Sequence, residues 1–113
     1  MIAAFLCLVV AVHDGDTLRC QNGTRVRLAG IDAPEIGACP RYRWCAKGDA
    51  QASRRALEGM TLRRSIRCEP VATSYGRTVA WCSIGGVDIS CAQYRGGFAI
   101  RRWDYDRHLC KKR

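Results

Sequence analysis

Eight cysteines in 113 residues constrain this chain more than any other feature. An even and dense set in so short a chain reads as a disulfide framework made in an oxidising compartment. Zinc is the rival, but no C-x-x-C pair occurs, the closest spacing is Cys39 to Cys45, and only His13 and His108 supply imidazoles. Position suggests the partners. Cys7 and Cys20 flank the Asp14-Gly15 turn at similar distances, and Cys68 and Cys82 flank Tyr75 in the same way. Cys39–Cys45 closes an irregular loop, and Cys91–Cys110 ties the tail to a last helix. Such a framework implies a periplasmic or secreted protein. The alternative is a cytoplasmic protein with buried free thiols.

The length suits a single domain over residues 1–113. Residues 1–12 are apolar but too few to span a bilayer. They lack the basic start of a signal peptide, so Phe5–Val12 reads as a buried first strand, with a leader upstream of it as an open alternative. Asp-Gly at Asp14-Gly15 and Asn-Gly at Asn22-Gly23 are hairpin signals. They separate Thr17–Cys20 and Arg25–Ile31 as second and third strands. Residues 36–48 read as an irregular loop. Asp49 is placed to cap a helix over Ala50–Leu57, with Ala52, Ala56 and Met60 inward and Gly59 as its stop. Leu62–Cys68 and Thr78–Cys82 look like two more strands, and Ile89–Tyr94 like a short helix ended by Gly96-Gly97. The expected fold is α+β: a five-stranded oligonucleotide-binding (OB) barrel, its main helix between the third and fourth strands and a short second helix near the C-terminus.

Lys plus Arg total 19 against 10 Asp plus Glu, a net charge of +9, which favours a polyanionic partner. Most of the cations are Arg, suited to bidentate phosphate contacts. Asp16 and Asp32 stand beside turns, where two carboxylates with a backbone carbonyl form a hard-oxygen site suited to Ca²⁺. Pro34 stiffens the corner between Asp32 and Glu35. Arg27 and Arg77 offer planar forks for phosphate oxygens. Phosphodiester hydrolysis needs this combination, charge neutralisation at the non-bridging oxygens and a positioned water. His13 reads as a packed strand residue and His108 as one without a role. Trp44 and Trp81 read as core or loop anchors.

The order and spacing of Val12-His13-Asp14-Gly15-Asp16-Thr17, Arg27 through Glu35, Tyr75-Gly76-Arg77-Thr78-Val79-Ala80 and Gly97-Phe98-Ala99 resemble the staphylococcal-nuclease (thermonuclease) family over nearly the whole chain. The resemblance implies Ca²⁺ held by Asp16, Asp32 and the carbonyl of Ala33, and phosphate held by Arg27 and Arg77. It implies Glu35 as the base on the attacking water, Asp14 near the metal through water, Tyr75 on a phosphate and Trp103 stacking on the nucleotide. The implied reaction is Ca²⁺-dependent cleavage of DNA and RNA, single strands preferred, leaving 3′-phosphate and 5′-hydroxyl ends. Ser74 departs from the lysine common in the best-known member, and the family's usual last helix is not expected after Cys110. A monomer without membrane association is expected. The competing reading is a catalytically silent OB-fold module that binds nucleic acid or protein. A cationic membrane-active peptide is disfavoured by the acidic cluster and by the lack of an amphipathic helix.

Overall fold

The computed structural model describes residues 3–102 and 108–111. In chain order its elements are β1 (Phe5–Asp14), β2 (Thr17–Cys20), β3 (Arg25–Leu28), β4 (Ile31–Asp32), α1 (Ala50–Thr61), β5 (Ser65–Ser74), β6 (Arg77–Ile84), β7 (Val87–Asp88), α2 (Ile89–Arg95) and β8 (Ile100–Arg101). Strands β1, β2, β3, β5 and β6 form a closed barrel in the order β3-β2-β1-β5-β6, and β6 returns to pair with β3. That last pairing is parallel, Val26 opposite Thr78, Arg27 opposite Val79 and Leu28 opposite Ala80. The α+β OB-like architecture read from the sequence is the one observed, with α1 between the third and fourth barrel strands and α2 near the C-terminus.

The first strand is not buried on both faces as its apolar run suggested. Cys7, Val9, Val12 and Asp14 point in, while Leu6, Leu8 and Val10 are exposed. Inward positions switch from odd to even numbers because the pairing with β2 is irregular between Val9 and Ala11. A bulge of this kind adds a residue to one strand and rephases its side chains. The switch turns Asp14 into the barrel end and His13 outward. His13 is therefore exposed, not packed as expected.

Helix α1 is longer than expected. Asp49 caps it, its carboxylate accepting from the Ala52 N–H at 3.0 Å. The helix runs through Gly59 and ends where Leu62 turns extended. Its innermost stripe is Ser53, Leu57 and Thr61, one residue away from the expected Ala52, Ala56 and Met60, which are half-buried. Two hydroxyls can lie at the core because both are bonded, Ser53 Oγ to the Phe98 carbonyl at 2.6 Å and Thr61 Oγ1 to the Leu57 carbonyl at 2.7 Å.

The expected third strand breaks at Leu28. Gly30 follows with φ +81°, and a Cβ there would lie 2.5 Å from the Trp81 indole, so the turn needs glycine both for its backbone and for the space. Ile31–Asp32 then pairs separately with Ile100–Arg101. The last two barrel strands each run further than expected, to Ser65–Ser74 and Arg77–Ile84. Pro70 is tolerated inside β5 because it adjoins an irregularity between Pro70 and Ala72. Trp81 lies in the core, with the His108 ring edge-on at 6.4 Å.

All eight cysteines are bridged, in the four expected pairs: Cys7–Cys20, Cys39–Cys45, Cys68–Cys82 and Cys91–Cys110. Cys68 and Cys82 are direct cross-strand partners. Cys91–Cys110 fixes the tail to α2. The set is compatible with an oxidising location.

Candidate active site

One end of the barrel gathers the β1–β2 turn, the end of β3, the Ala29–Glu35 segment and the start of β6. Gly15 and Asp16 form a two-residue turn, Asp14 pairing with Thr17. Gly15 is needed there for space and not for a left-handed backbone, since a Cβ would lie 1.7 Å from Ser53 Oγ. Two α2 side chains brace this end. Gln93 Nε2 donates to the Gly15 carbonyl at 2.9 Å and the Ser53 carbonyl at 3.1 Å. Ser90 Oγ donates to the Ala29 carbonyl at 2.7 Å. The acidic turn thus sits on a hydrogen-bonded polar layer, although Gln93 Oε1 is buried there without a partner among the described residues.

Arg27 is buried at the centre. Its Nη1 donates to the Leu28 and Ile31 carbonyls at 2.9 and 2.8 Å. Its Nη2 lies 3.3 Å from Asp32 Oδ1 and 3.5 Å from Asp16 Oδ2. Asp16 also accepts from the Ala33 N–H and the Thr17 hydroxyl, both at 2.8 Å. Burial pushes the Asp16 carboxyl up, but Arg27 and these hydrogen bonds outweigh it and hold it below the ordinary range. Asp14 fares differently. Burial first, then the adjacent Asp16, push it up to about 7, although the Asp16 N–H donates to it at 3.2 Å. Asp32 is also raised, by burial and then by the Asp16 charge, with Arg27 partly offsetting both.

Three crowded carboxyls therefore share one buried guanidinium, and two of them are strained toward neutrality. Carboxylate oxygens are the hard donors that a divalent cation prefers. Among the described residues, however, no three acidic, cysteine or histidine side chains form a ready cage. Arg27 and the Ala33 N–H occupy the space around Asp16 Oδ2 instead.

Beside the acids lies a cleft of ≈ 250 Å³ whose walls include Arg27, Arg43, Tyr75, Arg77 and Arg102. Arg77 opens β6 and is half-buried. Burial, then the nearby Arg27 charge, lower its pKa. Tyr75 and Gly76 are the two residues between Ser74 and Arg77 in the β5–β6 hairpin, both at positive φ (51° and 75°). That is the twist a two-residue hairpin favours, and it leaves Tyr75 91% exposed. Glu35 is half-buried beyond buried Pro34 and forms an ion pair with Arg43.

Asp14, Asp16, Arg27, Asp32 and Ala33 come together as the sequence suggested, and Arg77 and Tyr75 join Arg27 at the cleft. Trp103 lies outside the described residues. Trp44 is not an anchor: it is 65% exposed on the loop between Cys39 and Cys45. Sequence reasoning missed Arg43, Arg102, Gln93 and Ser90. Arg43 sits in a segment without period and reaches Glu35 only through the loop's path. Gln93 lies within the expected second helix, where a polar residue gives no sign of being fully buried. The chain matches no protein-family model, and no curated protein matches it.

Proposed function

We propose that the protein is a Ca²⁺-dependent nuclease similar to the staphylococcal-nuclease family. It would hydrolyse phosphodiester bonds of DNA and RNA to leave 3′-phosphate and 5′-hydroxyl ends. The observation that carries this reading is the contact of Asp16, Arg27 and Asp32, from the β1–β2 turn and from strands β3 and β4, beside a cleft that Arg27 and Arg77 both line. In this reading Asp16, Asp32 and the Ala33 carbonyl hold Ca²⁺, with Asp14 near it through water. Bound there, Ca²⁺ supplies Lewis-acid polarisation of a phosphate oxygen and a positioned water. Glu35 accepts the proton of the attacking water. Arg27 and Arg77 neutralise the non-bridging oxygens as charge builds on them, and Tyr75 contacts a neighbouring phosphate. Trp103 would stack on the nucleotide. The net charge of +9 steers the polyanion toward the cleft.

Incubation with single-stranded DNA and with RNA, in Ca²⁺ or in excess chelator, tests this. Cleavage is expected only with Ca²⁺. Undiminished cleavage in chelator with trace metal excluded sinks the mechanism. One observation favours a silent binding module instead: Arg27 and Glu35 are both engaged in ion pairs within the chain. Binding without cleavage at any Ca²⁺ concentration would establish that reading. For location, the four bridges support export to the periplasm or beyond the cell. No helix among the described residues is long and apolar enough to cross a membrane.

A further inference from the structure

The loop closed by Cys39–Cys45 reads Cys-Pro-Arg-Tyr-Arg-Trp-Cys. Two large aromatics alternate there with two arginines. Tyr42 is 88% exposed and Trp44 65% exposed, and Arg41 is exposed as well. One exposed aromatic needs no explanation. Two within three residues of a covalently closed loop are a different matter, because this loop has no regular structure and no buried side chain to hold it.

What holds it is the bridge at its base and Arg43 between the two aromatics. The Arg43 N–H donates to the Pro40 carbonyl at 3.3 Å, making a turn. The Arg43 carbonyl lies against Cys39 Sγ at 3.5 Å. Its guanidinium pairs with Glu35 and forms part of the cleft wall beside Arg27 and Arg77. The loop is therefore pinned to the rim of the cleft with Tyr42 and Trp44 on either side of the pin. Tyr75 stands exposed in the wall of that cleft.

The geometry points to this loop as a binding platform for single-stranded nucleic acid, on which Tyr42 and Trp44 stack unpaired bases of a strand whose backbone runs through the arginine cleft. The inference rests on the nucleic-acid part of the function proposed above and adds a site to it. Exposed rings beside a cationic groove are the chemistry that takes single strands without sequence preference. Every base has a π-face, but a duplex keeps its faces stacked inside. Arg41 supplies backbone attraction next to the rings. The bridge reduces the loop's freedom before a ligand arrives, so less ordering entropy opposes binding. Arg43 in turn ties the platform to Glu35, so that a base stacked on the loop places the adjoining phosphate near the candidate base.

The test measures binding of a fluorescent single-stranded oligonucleotide and of its duplex in chelator, where no Ca²⁺-dependent hydrolysis intervenes. Tyr42→Ala and Trp44→Ala should each weaken single-strand binding by roughly tenfold, with duplex binding unchanged. Trp44→Phe should retain most of the affinity. Trp44→Ala should leave the salt dependence as it is, whereas Arg41→Ala should make it shallower. Because both rings are exposed, thermal stability should not move. Binding by Tyr42→Ala/Trp44→Ala within about twofold of the parent, or an equal loss for duplex and single strand, overturns the platform. A protein that binds through these rings yet cleaves nothing in Ca²⁺ keeps the platform and loses the nuclease. A protein that cleaves normally and binds without them loses only the platform. Failure to bind any nucleic acid removes both.

Discussion

Arg27 and Arg77 bring the same group to one cleft but stand in it differently. Arg27 is buried and bonded through Nη1 to two backbone carbonyls and through Nη2 to two carboxylates. Arg77 is half-buried at the start of a strand. Substitution by lysine keeps the charge of either but loses the fork. Arg77→Lys should therefore cut hydrolysis with little change in melting temperature. Arg27→Lys should cut it and also destabilise the fold, because a buried network loses part of its hydrogen bonding. Activity assays paired with thermal melts separate the two, and equal melting losses would show that the burial difference has no consequence. Glu35→Gln should lower turnover by about a hundredfold or more while oligonucleotide affinity moves far less; near-normal turnover removes Glu35 from the chemistry. The residues of this cluster were readable in the sequence because tight turns and short strands bring Asp14, Asp16, Arg27 and Asp32 together over few residues of chain. Arg43, Arg102 and Gln93 were not, since their approach depends on tertiary path and on no local pattern.

Among the elements, α1 shows where pattern reading holds and where it slips. Its capping aspartate was legible because a side-chain oxygen two or three residues before the free N–H groups has one geometry open to it. Asp49→Ala should cost about 1 kcal/mol, read by chemical denaturation; an unchanged midpoint would mean the cap is not formed in solution. Its inner face was misread by one position because alanine looked more apolar than serine or threonine. Burial went instead to the hydroxyls with carbonyls to meet, and to the side where Gly15 leaves room for Ser53. Gly15→Ala should for that reason be destabilising despite an ordinary backbone at this position. In β1 the sequence shows only an apolar run. Alternation exposes Leu6, Leu8 and Val10, and the bulge that then turns Val12 and Asp14 inward comes from pairing with β2, which no single-strand pattern contains.

For the molecule as a whole, the four bridges stand in unequal settings. Cys7, Cys20, Cys68 and Cys82 are at most 2% exposed, whereas Cys39 is exposed. Thiolate attack needs access, so mild reductant should open Cys39–Cys45 first. Mass mapping of alkylated cysteines over a reductant titration reads the order, and simultaneous opening of all four would contradict it. Loss of a buried bridge such as Cys68–Cys82 should cost about 2–4 kcal/mol. Cys7–Cys20 and Cys68–Cys82 were legible in the sequence because a hairpin brings together positions at roughly matching distances from its turn, and Cys39–Cys45 and Cys91–Cys110 because an irregular loop and a tail need closing.

None of these bridges crosses the parallel seam between β3 and β6. Cys7–Cys20 staples the hairpin on one side and Cys68–Cys82 the hairpin on the other, while Val26–Leu28 and Thr78–Ala80 meet by hydrogen bonds and packing alone. Pairing of segments so far apart along the chain is slow, because loop-closure entropy is lost before any contact forms. The two hairpins can therefore be oxidised and complete before the cylinder shuts. Arg27 lies on one lip of that seam and Arg77 at the beginning of the other. A newly made chain, or one that breathes open along this line, has its arginines apart, so the cleft exists only while the cylinder is closed.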